Sequence, residues 1–248
     1  MLDPKRSRGE LMKALAQHGA ACVPAGDFAV SFELWRNIIF ARMGEKFKEN
    51  SCCKLDVGTE ALSLDIHNPP DNKLTFDVKA SLLDRTVETP WMRVAHTALR
   101  FAEKETLEIL IPELELIGWK SDRGFPNSVL RHVIYPKDGW CGSHTDYGLF
   151  TMQVSNASGF EGNCKGTWRQ PVVPPGCMLV YGGDMLEALT KDTASHVVSL
   201  KHRVRVTDAA RQSHILFVQP GDDDICGSIR FGNYKLMKTA WAKRRVNG

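Results

Sequence analysis

Two histidines and one aspartate stand where they could share a metal ion. His144 and Asp146 are two residues apart in SHTDYG, and His202 lies in the later β-prone run SLKHRVRV. Because side chains alternate along a strand, His144 and Asp146 would face the same side of an extended segment. Two imidazoles and one carboxylate on one face leave the remaining coordination positions of a metal open, which is typical of non-haem iron(II) sites. His196 lies on the same predicted run as His202 and competes with it.

A second pair of polar residues, Arg211 and Ser213, follows His202 along the chain. They are again two apart, so on a strand both would point into the interior beside the metal. A buried, unpaired arginine is costly, whereas a guanidinium with a neighbouring hydroxyl suits a carboxylate ligand. The alternative is an internal salt bridge with an acidic side chain. The position of this pair, close after His202, favours His202 over His196 as the third metal ligand.

A third polar group comes from the run VLRHVIYP, in which Arg131, Val133 and Tyr135 share one face of a predicted strand. If Tyr135 points into the interior, Arg131 does too and adds a second interior cation near the metal. His132 would then face away, as a structural or surface histidine.

The bulk properties favour an ordinary globular protein. Hydrophobic residues make up 43% and charged residues 25% of 248 residues, and the net charge is only +3, which gives little support for nucleic-acid binding. Seven cysteines without a Cys-X-X-Cys pair argue against a disulfide framework or a thiolate zinc site, and favour reduced thiols in the cytoplasm. We find neither a signal-peptide core nor an apolar run of about 18 residues, so no membrane span is expected.

The pattern of elements predicts one domain over 1–248. A mainly helical portion covers 1–120, a β core that carries the metal site covers 121–220, and a C-terminal helix covers 221–248. The predicted helices are 8–18, 32–47, 91–116 and 234–245. The predicted strands are 128–136, 149–155, 177–183, 196–206 and 213–219. Short strands at such spacing indicate a barrel or sandwich.

These motifs together resemble the isopenicillin N synthase-like family of 2-oxoglutarate- and iron(II)-dependent oxygenases. The matching segments are HTDYGLFTM (144–152), VVPPGCMLVYGGDMLEALT (172–190), SLKHRV (199–204) and RQS (211–213). The resemblance extends over nearly the whole chain. It implies a double-stranded β-helix, or jelly roll, with helices packed outside.

The resemblance also implies the roles of the candidate residues. His144, Asp146 and His202 would bind Fe(II), and Arg211 and Ser213, helped by Tyr135, would hold 2-oxoglutarate. With dioxygen, such a site oxidises a small, here anionic, organic molecule by hydroxylation, desaturation or ring closure, and releases succinate and carbon dioxide. Arg131 would hold a substrate carboxylate; the alternative is that it pairs with a neighbouring acid.

The sequence departs from the family pattern at position 133 and in the segment 52–90. Position 133 is valine where the family often has asparagine, which gives weight to an iron oxidase of the same fold that does not use 2-oxoglutarate. The segment 52–90 aligns with nothing in the family and is expected to form part of a substrate lid. A non-catalytic small-molecule binding protein and a zinc hydrolase are further alternatives. The expected partner is a small molecule, not nucleic acid or membrane, and the sequence gives no indication of oligomeric state.

Overall fold

The structure is a computed structural model that describes residues 8–46, 62–65, 71–84, 86, 90–120, 124–207 and 210–246, without the side chains of 37–46, 62–65, 90–92 and 241–246. The helices are Glu10–His18 (α1), Gly26–Lys46 (α2), Pro90–Leu116 (α3), Asp184–Thr190 (α4) and Phe231–Val246 (α5). The strands are Ala20–Pro24 (β1), Leu62–Asp65 (β2), Leu74–Lys79 (β3), Val129–Tyr135 (β4), Trp140–His144 (β5), Phe150–Ser155 (β6), Phe160–Cys164 (β7), Thr167–Arg169 (β8), Cys177–Gly182 (β9), Lys201–Arg205 (β10), Arg211–Val218 (β11), Ile225–Cys226 (β12) and Ile229–Arg230 (β13).

Two antiparallel sheets form the body of the molecule. The major sheet has the strand order β1-β9-β6-β11-β4-β3-β2, and the minor sheet has the order β5-β10-β7-β8. Because β10 lies beside β5 and β11 lies between β4 and β6, strands distant in sequence are neighbours in both sheets. This arrangement, with helices outside, is the predicted double-stranded β-helix, so the expected fold class is confirmed.

Alternation along β11 assigns its residues to two different cores. Leu216 and Val218 belong to the larger core, which lies between the major sheet and helices α1, α2 and α3, whereas Ile215 belongs to the smaller core between the two sheets. Arg211 and Ser213 have the same parity as Ile215 and therefore face the space between the sheets. The site-bearing face and the scaffold-bearing face of the sheet are thus opposite sides of the same strands.

Helices α1, α3 and α5 begin and end within three residues of their predicted positions, whereas α2 begins at Gly26, six residues before its predicted start, and the short helix α4 was not predicted. The achiral residue Gly19 ends α1 in the left-handed conformation, with φ of 78°, and donates its N–H to the Leu15 carbonyl, a common helix C-terminus. None of the described helices has the length and apolar character that crossing a membrane requires.

The portion 1–120, expected to be mainly helical, contains α1, α2 and α3 and also contributes β1, β2 and β3 to the major sheet. The run LTFDVK (74–79) alternates apolar and polar residues, which is a strand pattern that the sequence prediction missed. It pairs with β4, so part of the segment 52–90, expected as a lid, extends the major sheet. Residues 52–61 and 66–70 of that segment lie outside the described residues.

The division between the two cores gives a stability prediction. Leu216 is 2% exposed, so Leu216→Ala should lower the free energy of unfolding by about 2–5 kcal/mol, the usual loss for a buried leucine truncation. The measurement is urea unfolding followed by circular dichroism. Leu236→Ala is the matched control, because Leu236 is 72% exposed and its truncation should change stability by no more than about 0.5 kcal/mol. Equal losses in both variants would contradict the assignment.

Candidate metal and cosubstrate site

The pairing of β5 with β10 brings two histidines of the candidate site together. His202 is the direct cross-strand partner of His144, and their ring centroids are 4.4 Å apart. Asp146 follows β5 and lies between them, with its Oδ1 3.6 Å from His144 Nε2 and its Oδ2 3.8 Å from His202 Nε2. The three candidate ligand atoms lie within 4.8 Å of one another. In the described part of the chain, no other group of three histidine, cysteine or acidic residues meets this criterion.

Backbone carbonyls fix which nitrogen of each ring is available. His144 Nδ1 donates to the Gly142 carbonyl at 2.7 Å, and His202 Nδ1 donates to the Leu200 carbonyl at 3.0 Å. A carbonyl only accepts, so the protons are on Nδ1 and the Nε2 lone pairs of the neutral rings are free for a metal. Burial lowers the pKa of His202 to about 4, which keeps this ring neutral at physiological pH.

His144 is in a different electrostatic environment from His202. Burial alone would lower the pKa of His144, but the neighbouring Cys141 thiol and the Asp146 carboxylate raise it to about 9. Its side chain is 41% exposed, compared with 6% for His202. A metal ion bound at neutral pH would displace the extra proton that this pKa places on His144.

Asp146 is held on both its side chain and its backbone. Thr151 donates its hydroxyl proton to Asp146 Oδ2 at 2.6 Å, and the Asp184 N–H donates to the Asp146 carbonyl at 2.8 Å. Burial would raise the pKa of Asp146, but the charges of His202 and His144 and the hydrogen bond from Thr151 outweigh it and lower the pKa. The carboxylate is therefore ionised and oriented, as a metal ligand must be.

Arg211 is a buried cation at the other end of the site. It is 1% exposed, and it donates from one Nη to Ser155 Oγ at 2.7 Å and from Nε to the Ala157 carbonyl at 3.2 Å. Its remaining Nη has no hydrogen-bond partner, and no acidic side chain within the described ranges pairs with it. Burial, which disfavours the charged form, lowers the pKa of Arg211. The alternative of an internal salt bridge therefore has no support in the described residues.

Tyr135 lies beside this guanidinium, and Ser213 is linked to it through Ser155. Ser213 Oγ is 3.0 Å from Ser155 Oγ, so the two hydroxyls and Arg211 form one hydrogen-bonded group. The Arg211 guanidinium lies 5.6 Å from the centre of the Tyr135 ring, and Tyr135 is its cross-strand partner. Val133 is the partner of Ser213, so the position beside the hydroxyl is apolar.

A cavity opens onto the metal-site residues. Arg131 lines it and donates from Nε and Nη2 to the two carboxylate oxygens of Asp77, each at 2.6 Å. This ion pair is the alternative that the sequence left open for Arg131. Burial disfavours its charge, but Asp77 outweighs burial and raises the pKa of Arg131.

Lys73 is a cavity cation that sequence reasoning missed. It donates to Asp71 Oδ2 at 2.7 Å and to Cys141 Sγ at 3.0 Å, and the Cys141 sulfur lies 3.9 Å from His144 Nδ1. No motif marks Lys73, which precedes the unpredicted strand β3.

Thr151 and Ser155 were also missed, although the sequence contained a signal for them. In the run FTMQVS (150–155) polar and apolar residues alternate, and the polar ones share a face. In the structure, Ser155 pairs with Ser213 across the sheet. His196, the competitor of His202, is exposed and precedes β10, so the structure brings His202 and not His196 to the site.

Solved structures of oxygenases share this fold. A full-length protein of Neurospora crassa, in complex with alpha-KG and 5-formyluracil, is 18% identical over 93% of this chain and 90% of that one, with a TM-score of 0.67. The rice dioxygenase for auxin oxidation is 17% identical over 96% of this chain and 89% of that one, with a TM-score of 0.70. A 2OG-Fe(II) oxygenase family protein of Caulobacter crescentus is 19% identical over 96% and 95%, respectively, with a TM-score of 0.67.

No protein-family model and no curated protein matches the chain. At the identities of the solved structures, the similarity establishes the shared fold, and the chemistry must be argued from the residues themselves.

The geometry predicts which histidine binds metal. His202→Ala should abolish tight binding of Co(II), a spectroscopic substitute for iron(II), because it removes one of three protein ligands. His196→Ala is the matched control and should bind Co(II) like the unmodified protein, since His196 is exposed outside the site. The measurement is a Co(II) titration followed by visible absorption. Retained binding in His202→Ala, or loss in His196→Ala, would contradict the site.

Proposed function

We propose that this protein is a 2-oxoglutarate- and iron(II)-dependent oxygenase that oxidises a small organic substrate, related to the isopenicillin N synthase-like family. The observation that carries the proposal is the buried guanidinium of Arg211, which has no acidic partner among the described residues and lies in the same inter-sheet space as the His144, Asp146 and His202 triad.

A buried cation without a counter-ion is unfavourable unless a ligand supplies the negative charge. Ser155 Oγ accepts from one Nη of Arg211 and lies 3.0 Å from the Ser213 hydroxyl, and a carboxylate bound to the other, free Nη would gain a charge-assisted hydrogen bond. 2-Oxoglutarate has a carboxylate at one end and a keto acid at the other. The first suits Arg211 and Ser213, with Tyr135 alongside, and the second suits the open positions of an iron held by three protein ligands.

When bound, iron and 2-oxoglutarate supply oxidising power by activating dioxygen, with succinate and carbon dioxide as coproducts. The chain's own residues do the rest. The carbonyls of Gly142 and Leu200 keep the two imidazoles in the tautomer that ligates metal, and Thr151 orients the Asp146 carboxylate. The apolar residues between the sheets exclude water from the reacting atoms.

The proposed substrate is small and carries an anionic or polar group. Such a substrate would occupy the cavity beside the metal-site residues. Lys73 and Arg131 line this cavity together with apolar side chains such as Val133 and Phe217. Asp77 occupies the Nε–Nη2 edge of Arg131, so we propose that Nη1 contacts a substrate oxygen.

An iron oxidase that does not use 2-oxoglutarate is the second candidate, because Val133 leaves an apolar position opposite Ser213. Formation of succinate separates the two functions. A zinc hydrolase does not account for the pair Arg211 and Ser213. A non-catalytic binding protein does not account for the three metal ligands. Failure to bind iron would favour the binding protein.

The proposed binding of 2-oxoglutarate by Arg211 and Ser213, called the clamp below, can be tested without knowing the substrate. Anaerobic titration of the iron(II)-loaded protein with 2-oxoglutarate should give the weak visible absorption of a metal–keto acid chelate. In Arg211→Leu the dissociation constant should rise by about 30-fold or more, since losing one partner of a buried charge pair costs about 2–5 kcal/mol.

The matched control for this titration is Arg203→Leu. Arg203 pairs with Glu161 at 2.6 Å and stacks over Trp168, away from the cavity. The dissociation constant for 2-oxoglutarate should therefore not change. A normal affinity in Arg211→Leu would refute the clamp, and absence of the absorption in iron-loaded unmodified protein would favour the oxidase.

The proposed role of Arg131 can be distinguished from that of Arg211 by measuring the affinities for 2-oxoglutarate and for the organic substrate. Arg131→Leu should leave 2-oxoglutarate binding unchanged, because Arg131 pairs with Asp77 and not with the Arg211 group. It should raise the KM of an organic substrate identified by stimulated succinate formation. Equal losses in the affinities for 2-oxoglutarate and for substrate would contradict the proposed role.

A further inference from the structure

The C-terminal helix α5 contacts the short segment that carries Asp146. The Phe231 ring lies 6.2 Å from the ring of Tyr147 in a stacked orientation. Two turns later, Lys238 Nζ lies 3.3 Å from the hydroxyl of Thr145, the residue between the metal-site residues His144 and Asp146. Helix α5 therefore contacts the chain on both sides of Asp146.

Lys238 also forms an ion pair with Asp184, which contacts the segment that carries Asp146. Lys238 Nζ is 2.8 Å from Asp184 Oδ2, which also accepts from the Tyr234 hydroxyl at 2.8 Å. The other carboxylate oxygen accepts from the Ser199 hydroxyl at 2.7 Å. The lysine and aspartate side chains are only 24% and 12% exposed, so their attraction is less screened than that of a surface ion pair.

The Asp184 backbone transmits this contact to the metal site. Its N–H donates to the Asp146 carbonyl at 2.8 Å, while its side chain is held by α5. The packing at this point is tight: a Cβ on Gly183 would lie 2.8 Å from the Asp146 carbonyl oxygen and closer still to that of Gly148. Asp184 cannot shift without disturbing Asp146, because the backbones of the two residues are in direct contact.

We infer that Lys238 is a positioning residue for the metal site: its ammonium joins Thr145 to Asp184 and so fixes the backbone from which the Asp146 carboxylate projects. This inference rests on the proposed function, since it needs a metal at the triad. No motif marks Lys238, and it reaches the site from the last described helix of the chain. Its role is to lower the freedom of the Asp146 backbone in the metal-free protein, so that less order must be gained when the metal binds.

The test compares Co(II) affinity and the visible Co(II) spectrum in full-length variants. Lys238→Met keeps the aliphatic stem but removes the ammonium. The dissociation constant of the Lys238→Met variant for Co(II) should rise by about tenfold. This is the lower end of the roughly 10–100-fold loss of metal affinity that is usual when a residue supporting a metal ligand is replaced. The ligand-field spectrum should change as well, because the Asp146 carboxylate is less constrained. Lys238→Arg, which keeps a cation, should restore most of the affinity.

Lys235→Met is the matched control on the same helix. Lys235 lies 3.3 Å from both Asp222 Oδ1 and Asn127 Oδ1, and makes no contact with the metal-site segment among the described residues. Both variants lose an ion pair made by helix α5, so a purely structural effect would lower the melting temperature of the metal-free proteins similarly and leave the Co(II) spectrum unchanged. An unchanged affinity and spectrum in Lys238→Met would overturn the inference while leaving the proposed function intact.

Thr145→Val provides a second, milder variant in case Lys238→Met does not fold. It removes the hydroxyl that Lys238 contacts but keeps the ion pair with Asp184. Thr145→Val should also raise the dissociation constant for Co(II), but by less than Lys238→Met does. Normal Co(II) binding in Thr145→Val would overturn the coupling through Thr145. Failure of the unmodified protein to bind Co(II) would overturn the proposed metal site and this inference together.

Discussion

The antiparallel pairing of β5 with β10 places His144 directly opposite His202, and the site depends on that register. A slip of one residue would turn one imidazole to the other face of the sheet. Phe160 and Tyr181 pack against the His202 ring, with centroids 5.2 and 5.0 Å away, and so help to keep its face toward the interior. The register is irregular immediately after His202, which shows that the strand adapts around the ligand position without losing the pair.

The central strand β11 carries a buried charge, Arg211, that has no acidic partner among the described residues. It is paired on both sides, by β4 and β6, so Arg211 cannot reach solvent by moving to an edge. On the other face of the same strand, Leu216 and Val218 pack against the helices. The scaffold therefore contributes its stability from one face and holds an unsatisfied cation on the other. A stable apolar face combined with a buried cation that lacks a counter-ion is expected at a site where a ligand supplies the negative charge.

Buried histidines outside the site show what distinguishes a ligand from a core residue. His132 and His214 lie on the helix-facing side of the major sheet, with ring centroids 5.8 Å apart, and Phe32 stacks on His132. His214 Nε2 is 2.8 Å from the Ser31 hydroxyl. Burial lowers the pKa of both rings, to about 4 for His132. Both are neutral core residues with no acidic partner among the described residues, whereas Asp146 lies beside both His144 and His202. The prediction that His132 faces away from the site agrees with this position.

The sequence by itself determined the side-chain chemistry and the parity of the site. The two-residue spacing of Arg211 with Ser213 assigns both to one face of β11, because alternation along a strand is a local property. Alternation does not place Asp146, since β5 ends at His144 and Asp146 lies beyond the strand. The tertiary structure decided which charges meet. Asp77 neutralises part of Arg131, Lys73 reaches Cys141, and Lys238 contacts Thr145, although these partners are far apart in sequence. Such pairs depend on which strands and helices become neighbours, and that order follows from the packing of the whole chain rather than from any local spacing.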